Sequence, residues 1–246
     1  MLRARISADI ARARKLIPLL SEPSYRRALR HGVAAAIEHE KAPFAHEFET
    51  IVDAGANRGQ FSLVAARRFP RARIVCIEPL GGPAAAAGRV LRSHRDFSLI
   101  RAAVGAREGA TDFYVTQSDD SSSLLRPTAA QLEAFPDTQV ATSITVPVRT
   151  LDTLLEGQDL PPPALLKLDV QGGELNALQG AQSVLASFSS VLVECSFVQL
   201  YEGQALAGQV LSHLAERDFR MAAIYSPHLD RYGRIIQADM LFERMA

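Results

Sequence analysis

The chain has 246 residues, 48% of them apolar, with 27 basic and 27 acidic side chains. That is enough apolar material for one α/β domain with an appendage and excludes a disordered chain, while a net charge of zero excludes a global electrostatic footprint for nucleic acid. Two widely separated cysteines exclude a disulfide scaffold, and no apolar run approaches the ~18–20 residues that span a bilayer, so a cytoplasmic protein with buried free thiols and no integral membrane segment is expected.

The first thirty residues hold eight basic side chains against two acidic ones. Leu2, Ile6, Ile10, Ala13, Ile17 and Leu20 recur at spacings of three and four, which predicts an amphipathic helix over 2–20. Tyr25, Leu29, Val33 and Ile37 predict a second. Together they read as an N-terminal helical extension over 1–45, with either a solvated basic face or weak contact with an anionic membrane surface. From residue 49 the rhythm changes. Short β-branched runs at 49–55, 72–79, 97–105, 164–170 and 190–197 alternate with helical patterns at 59–69, 83–93, 173–187 and 205–217, as βαβ units with a parallel sheet require. Residues 109–151 interrupt this rhythm as a β-rich insertion around a polar loop, Ser118–Ser123. Two further strands, 219–226 and 238–244, close a domain over 46–246 as an antiparallel edge.

The chemistry-bearing motifs follow the same order. In IVDAGANRGQFS (51–62) a buried strand ends at Asp53, and Gly55 and Gly59 lead into a helix. Glycines there permit a tight bend and close approach to a ligand, and the helix start leaves N–H groups pointing at it. The spacing is D-x-G-x-x-x-G rather than the G-x-G-x-x-G of dinucleotide sites. A carboxylate at this turn repels a diphosphate and attracts an ammonium or a sulfonium, the two cations of S-adenosylmethionine. The next strand ends in Glu78-Pro79, nineteen residues beyond Gly59, the place where an acid holds ribose hydroxyls of an adenosyl ligand. In KLDVQGGELNALQGA (167–181) an Asp on an otherwise apolar strand needs a reason. Asp169 either faces the reacting atoms at the strand's carboxyl end or forms an internal pair with Lys167, and Glu174 either acts there or favours its helix start. Glu194 occupies the equivalent place on the next strand. His228 falls in SPHLDRYG, read as a loop between the last two strands. Asp169, Glu194 and His228 are the candidate general bases, and no spacing calls for a metal.

These runs, VDAGANRGQFS, CIEP, SSSL, VRTLDTLL, KLDVQGGELNALQGA and VECSF…LYEG, resemble in order and spacing the FkbM family of methyltransferases over about 50–245. The resemblance implies a Rossmann-like class I methyltransferase sheet with an antiparallel last strand, preceded by N-terminal helices. It implies S-adenosylmethionine as cofactor, held by Asp53, Gly55, Ala56, Asn57, Gly59, Glu78 and Pro79, and Asp169 near the chemistry. It further implies O-methylation of a saccharide, glycan or secondary metabolite. Gln171 stands where the family commonly has an acid. The alternatives are an NAD(P)-dependent oxidoreductase, disfavoured by the missing third glycine, and an N-methyltransferase acting on nucleic acid or protein, disfavoured because DVQGGE replaces the Asn/Asp-Pro-Pro-aromatic run.

Overall fold

The computed structural model describes residues 16–245. Most of the predicted 2–20 helix, with its basic arm, lies outside them; 16–21 are helical and form α1. Helix α2 (Pro23–Leu29) starts on Pro23 with Glu22 accepting from the Ser24 amide, as a proline at the first helical position favours. It is shorter than the Tyr25–Ile37 periodicity suggests. Gly32 turns the chain at φ +72°, and Ile37 falls in a short 3-10 turn, Ile37–Lys41. Val33 is nonetheless buried, so the apolar repeat reports burial on both sides of the turn rather than one continuous helix.

The elements then run β1 (Thr50–Ala54), α3 (Gln60–Arg68), β2 (Arg73–Ile77), α4 (Gly81–Leu91), β3 (Phe97–Ile100), β4 (Ala103–Val104), β5 (Gly109–Thr116), α5 (Ala129–Ala134), β6 (Val140–Arg149), α6 (Leu151–Leu154), β7 (Ala164–Leu168), α7 (Glu174–Gln179), β8 (Ser190–Ser196), α8 (Ala207–Ala215), β9 (Phe219–Leu229) and β10 (Ile235–Arg244). Seven strands form one sheet in the order β3-β2-β1-β7-β8-β10-β9. Pairing is parallel as far as β8, and β10 runs antiparallel to both neighbours. This is the Rossmann-like architecture with a reversed last strand. One detail differs from the expected edge pair: β10 inserts between β8 and β9, leaving β9 at the rim. The run 97–105 also divides, because β3 pairs with β2 while β4 joins a separate three-stranded sheet, β4-β6-β5. The 109–151 insertion is therefore a β-sheet in its own right.

Strand alternation distributes the core. Val52, Ala54, Leu166, Leu168, Val191 and Val193 pack with Leu178 of α7 and Leu214 of α8 on one face. Ile51, Ile74, Cys76, Leu165 and Leu192 pack on the other with Phe61 and Val64 of α3 and with Leu19, Tyr25, Val33 and Phe48 of the N-terminal segment. The N-terminal segment thus contributes to the domain's own core. Both cysteines are free and buried. Among the described residues no helix is long and apolar enough to cross a membrane.

Candidate functional site

The central strands end in a cavity of about 730 Å³, within the ~300–1,000 Å³ typical of small-molecule sites. This is the carboxyl edge of the sheet, where open α/β folds bind ligands. Its other walls are the 34–39 segment, the 118–122 loop of the insertion, residues 134–138, and the β9–β10 hairpin. Among the described residues the wall carries eight carboxylic side chains and one lysine.

The glycine turn is pinned from both sides. The Gly55 and Ala56 amides donate to the Ile77 carbonyl at 3.0 and 3.1 Å, and the Asp169 amide donates to the Ala54 carbonyl at 3.1 Å. Asn57 takes φ +46°, which Asn tolerates. Its amide donates to Glu78 Oε2 at 2.9 Å, and Glu78 Oε1 accepts from the Leu80 amide at 2.8 Å. Burial outweighs these bonds and raises the Glu78 carboxyl to about 7. Gly55, Ala56, Asn57, Glu78 and Pro79 all line the cavity.

Asp53 and Gly59 do not. Asp53 is fully buried, accepts from Ser62 Oγ at 2.6 Å and pairs with Lys167 Nζ at 3.2 Å. It faces Lys167 because the two residues are register partners across β1 and β7, so its charge is used inside the sheet. Gly59 caps α3 at φ +84°, with Ala87 and Leu91 of α4 at 3.3 Å from where a Cβ would sit. It is required by helix packing.

Lys167 bridges Asp53 to Asp169, whose Oδ2 lies 3.2 Å from Nζ. Both readings of Asp169 are therefore present: it is ion-paired and it lines the cavity. Gln171 Nε2 donates to Asp169 Oδ1 at 2.7 Å and to Glu194 Oε2 at 3.0 Å, and Gln237 Nε2 donates to Glu194 Oε2 at 2.9 Å. Burial opposes the charge of Asp169, but Lys167 and Gln171 hold its carboxyl below the usual range. Burial and the Asp169 charge push Glu194 well above it. Glu174 is buried and accepts from the Val170 and Gly172 amides at 3.0 and 3.1 Å, so it ties the turn after β7. His228 is exposed and lies within β9, opposite Gln237, rather than in a loop. The adjacent Pro227 is tolerated there because β9 is a rim strand. The His228 ring lies 5.5 Å from Phe135 at the cavity's edge.

The polar loop docks over the glycine turn. Asn57 Nδ2 donates to the Asp119 carbonyl at 3.1 Å, Arg58 pairs with the Asp119 carboxylate, and Ser123 Oγ donates to the Gln171 carbonyl at 2.6 Å. Two wall residues had no signal in the sequence, His39 and Asp239. Burial is the first cause of both shifts, lowering His39 to about 4 and raising Asp239 to about 7. Among the described residues no group of three or more His, Cys, Asp or Glu side chains is arranged to hold a metal ion.

Three raised carboxyls set a pH dependence. Glu78, Glu174 and Asp239 titrate at about 7 in the fold, against 4.5, 4.5 and 3.8 unperturbed. Between those values the folded state binds more protons than the unfolded chain, so stability falls as pH rises from about 4 to about 7. A shift of this size corresponds to about 3 kcal/mol for one isolated group. The urea midpoint is expected to decline from about pH 4 to about pH 7 and to level off above that. Glu174→Gln is expected to flatten that decline; an unchanged slope in the variant would contradict the assignment.

Comparison with known proteins gives a concordant result. The sequence profile described as "Methyltransferase FkbM domain" matches residues 53–221. A "2-O-methyltransferase NoeI" from Sinorhizobium fredii (strain NBRC 101917 / NGR234) is 29% identical over 201 residues, covering 78% of this chain and 77% of that protein. A "Methyltransferase 1" from Beauveria bassiana (strain ARSEF 2860) is 29% identical over 154 residues, 58% of this chain and 61% of that one. Among solved structures, the methyltransferase FkbM from Methylobacillus flagellatus KT superposes with a TM-score of 0.52 at 17% identity. That match covers 90% of this chain, which spans half of the longer protein.

Proposed function

Because the chain belongs to the FkbM methyltransferase family, we propose that it transfers a methyl group from S-adenosylmethionine to a hydroxyl of a saccharide, glycan or other small polyhydroxylated metabolite. The observation that carries this reading is the charge of the cavity, eight carboxylic side chains against one lysine among the described residues. Such a wall attracts a sulfonium and an ammonium and repels the pyrophosphate of a nicotinamide dinucleotide. An oxygen acceptor is supported by the name of the relative, a 2-O-methyltransferase.

The donor, when bound, supplies a methyl group on positively charged sulfur. Gly55, Ala56 and Asn57 would hold its amino-acid part, and Glu78 with Pro79 its ribose. Asp169, kept ionised by Lys167 and Gln171, would set the negative potential near the sulfonium, with Glu194 held beside it by Gln171 and Gln237. His228 would meet the acceptor at the rim. The main catalytic contribution expected of this chain is alignment of the acceptor oxygen with the methyl in the cavity, which can supply roughly 7–11 kcal/mol of the barrier.

Calorimetry with S-adenosylmethionine, S-adenosylhomocysteine and NAD tests the donor. Heat with the first two and none with the third is expected, and the reverse would overturn the reading. Transfer of radiolabelled methyl to methyl glycosides, RNA and peptides tests the acceptor class. Glu78→Gln is expected to weaken S-adenosylmethionine about 10–100-fold, as loss of a charged hydrogen bond does, with little change in the maximal rate. An unaltered affinity would remove Glu78 from the ribose site.

A further inference from the structure

We infer that Asp239 and His39 form the acceptor dyad of this cavity, with Asp239 taking the proton from the acceptor hydroxyl while the His39 Nε2–H holds its oxygen; the inference rests on the O-methylation reading above. Neither residue lies in the 53–221 family match. The flanking segments would thus supply the chemistry that distinguishes this chain's acceptor.

Asp239 lies in the middle of β10. Asp239 is the register partner of Glu194 on β8 and of Tyr225 on β9, so the three side chains share one sheet face. Asp169 and Glu194 are engaged by Lys167, Gln171 and Gln237. Asp239 lines the same cavity, and among the described residues none donates a hydrogen bond to its carboxylate. It is the acid of the row whose lone pairs are open to a ligand. Around it stand Asp169 and Glu38, which disfavour its charge, Lys167, which favours it, and Glu194, whose own carboxyl is pushed well above the usual range by burial with Asp169 and Asp239. With burial leading, they bring it to about 7, where a general base is most effective at neutral pH.

His39 comes from the Ile37–Lys41 turn, which also lines the cavity. Arg68 Nη1 on α3 donates to the His39 and Ala42 carbonyls at 2.8 and 3.0 Å, which fixes the segment. The ring packs edge-on against Phe61 at 5.0 Å and is only 6% exposed. Its Nδ1 lies 2.9 Å from the Tyr225 hydroxyl. In the proposed arrangement that hydroxyl donates to Nδ1, which leaves the proton of the neutral ring on Nε2. His39 is therefore a hydrogen-bond donor on a wall otherwise rich in acceptors, and Tyr225 links it to the strand position facing Asp239.

The step balances without another reagent. The acceptor oxygen bonds to the methyl carbon, the carbon–sulfur bond breaks with its electron pair on sulfur, and the hydroxyl proton passes to Asp239. The test uses the whole chain, tritiated S-adenosylmethionine and a panel of methyl glycosides. Asp239→Asn is expected to keep its affinity for S-adenosylmethionine within about three-fold by calorimetry. It should lose on the order of 10²–10⁴ in transfer, together with the rise in rate through about pH 7 that is expected of the wild type. His39→Ala is expected to raise the acceptor KM at least about ten-fold with a smaller change in kcat, and His39→Gln to recover part of it. If Asp239→Asn fails to bind the donor, Asp239→Ser takes its place under the same criterion. Transfer by the Asp239 variant within ten-fold of wild type would overturn the inference. So would transfer to none of the glycosides by a wild type that binds the donor. No heat with the donor in the wild type would instead strike the reading on which the inference rests, and the inference would fall with it.

Discussion

Replacing Lys167 with methionine is expected to lower the stability of the fold by about 3–5 kcal/mol, the range for removing one partner of a buried ion pair. Lys167 is 5% exposed and lies 3.2 Å from both Asp53 and Asp169. Burial opposes its charge, but the two carboxylates keep it protonated. Without the ammonium, Asp53 keeps only Ser62 as a donor in a site with no solvent access. For a domain of this size the loss corresponds to a fall in melting temperature on the order of 10 °C. A double-mutant cycle locates the cost. Lys167→Met with Asp53→Asn should recover more than half of it, because the uncompensated charge is removed. Lys167→Met with Asp169→Asn should recover less, because Asp169 is 30% exposed and retains Gln171. Equal recovery in the two double variants, measured by thermal unfolding, would mean that the stranded Asp53 charge is not the source of the loss.

The same triad shows where reading the sequence stops. The strands and helices of the βαβ units follow from local periodicity, and the glycine turn, Glu78 and Asp169 announce themselves because each breaks an apolar pattern at a strand end. The pairing of Asp53 with Lys167 has no local trace, since it depends on β1 lying beside β7, a register that only the folded sheet defines. Asp53 therefore reads as a cofactor contact, while in the fold its charge is spent on a neighbouring strand. Asp239 is harder still. In ADMLFER it is an ordinary polar residue of a rim-like pattern, and its meaning comes from the insertion of β10 between β8 and β9. His39 sits beyond a turn at Gly32 that the repeat Tyr25, Leu29, Val33, Ile37 conceals. The division of 97–105 is likewise non-local: Ile100 pairs with β2, while Ala103, three residues on, pairs with β6 of the insertion.

Substituting Gly55 by alanine should be the most damaging single change at the cofactor turn, and its size separates two demands that glycines meet. Gly55 has φ +81°, and a Cβ built there lies 1.8 Å from the Asp169 carbonyl oxygen and 2.7 Å from its carbonyl carbon. Backbone atoms cannot swing aside as a flexible side chain can. Either β7 or the turn must move, and the bonds from the Gly55 and Ala56 amides to Ile77 and from the Asp169 amide to Ala54 resist both. The left-handed backbone alone costs an alanine about 1–2 kcal/mol. Gly32 isolates that part, because it takes φ +72° with nothing within 4 Å of its Cβ position. Gly32→Ala is accordingly expected to cost no more than about 1–2 kcal/mol. Gly55→Ala should cost at least about 3 kcal/mol, in the tail reserved for core clashes and strained backbone. The displacement would separate Asn57 and Glu78 from Asp169 across the cavity, so the variant should also lose heat with S-adenosylmethionine even where it remains folded. Matched denaturant curves and calorimetry decide the matter. Equal destabilisation by the two alanines, with donor binding intact in both, would show that the chain adjusts around β7 and that the close approach of the turn to Asp169 is not what positions the site.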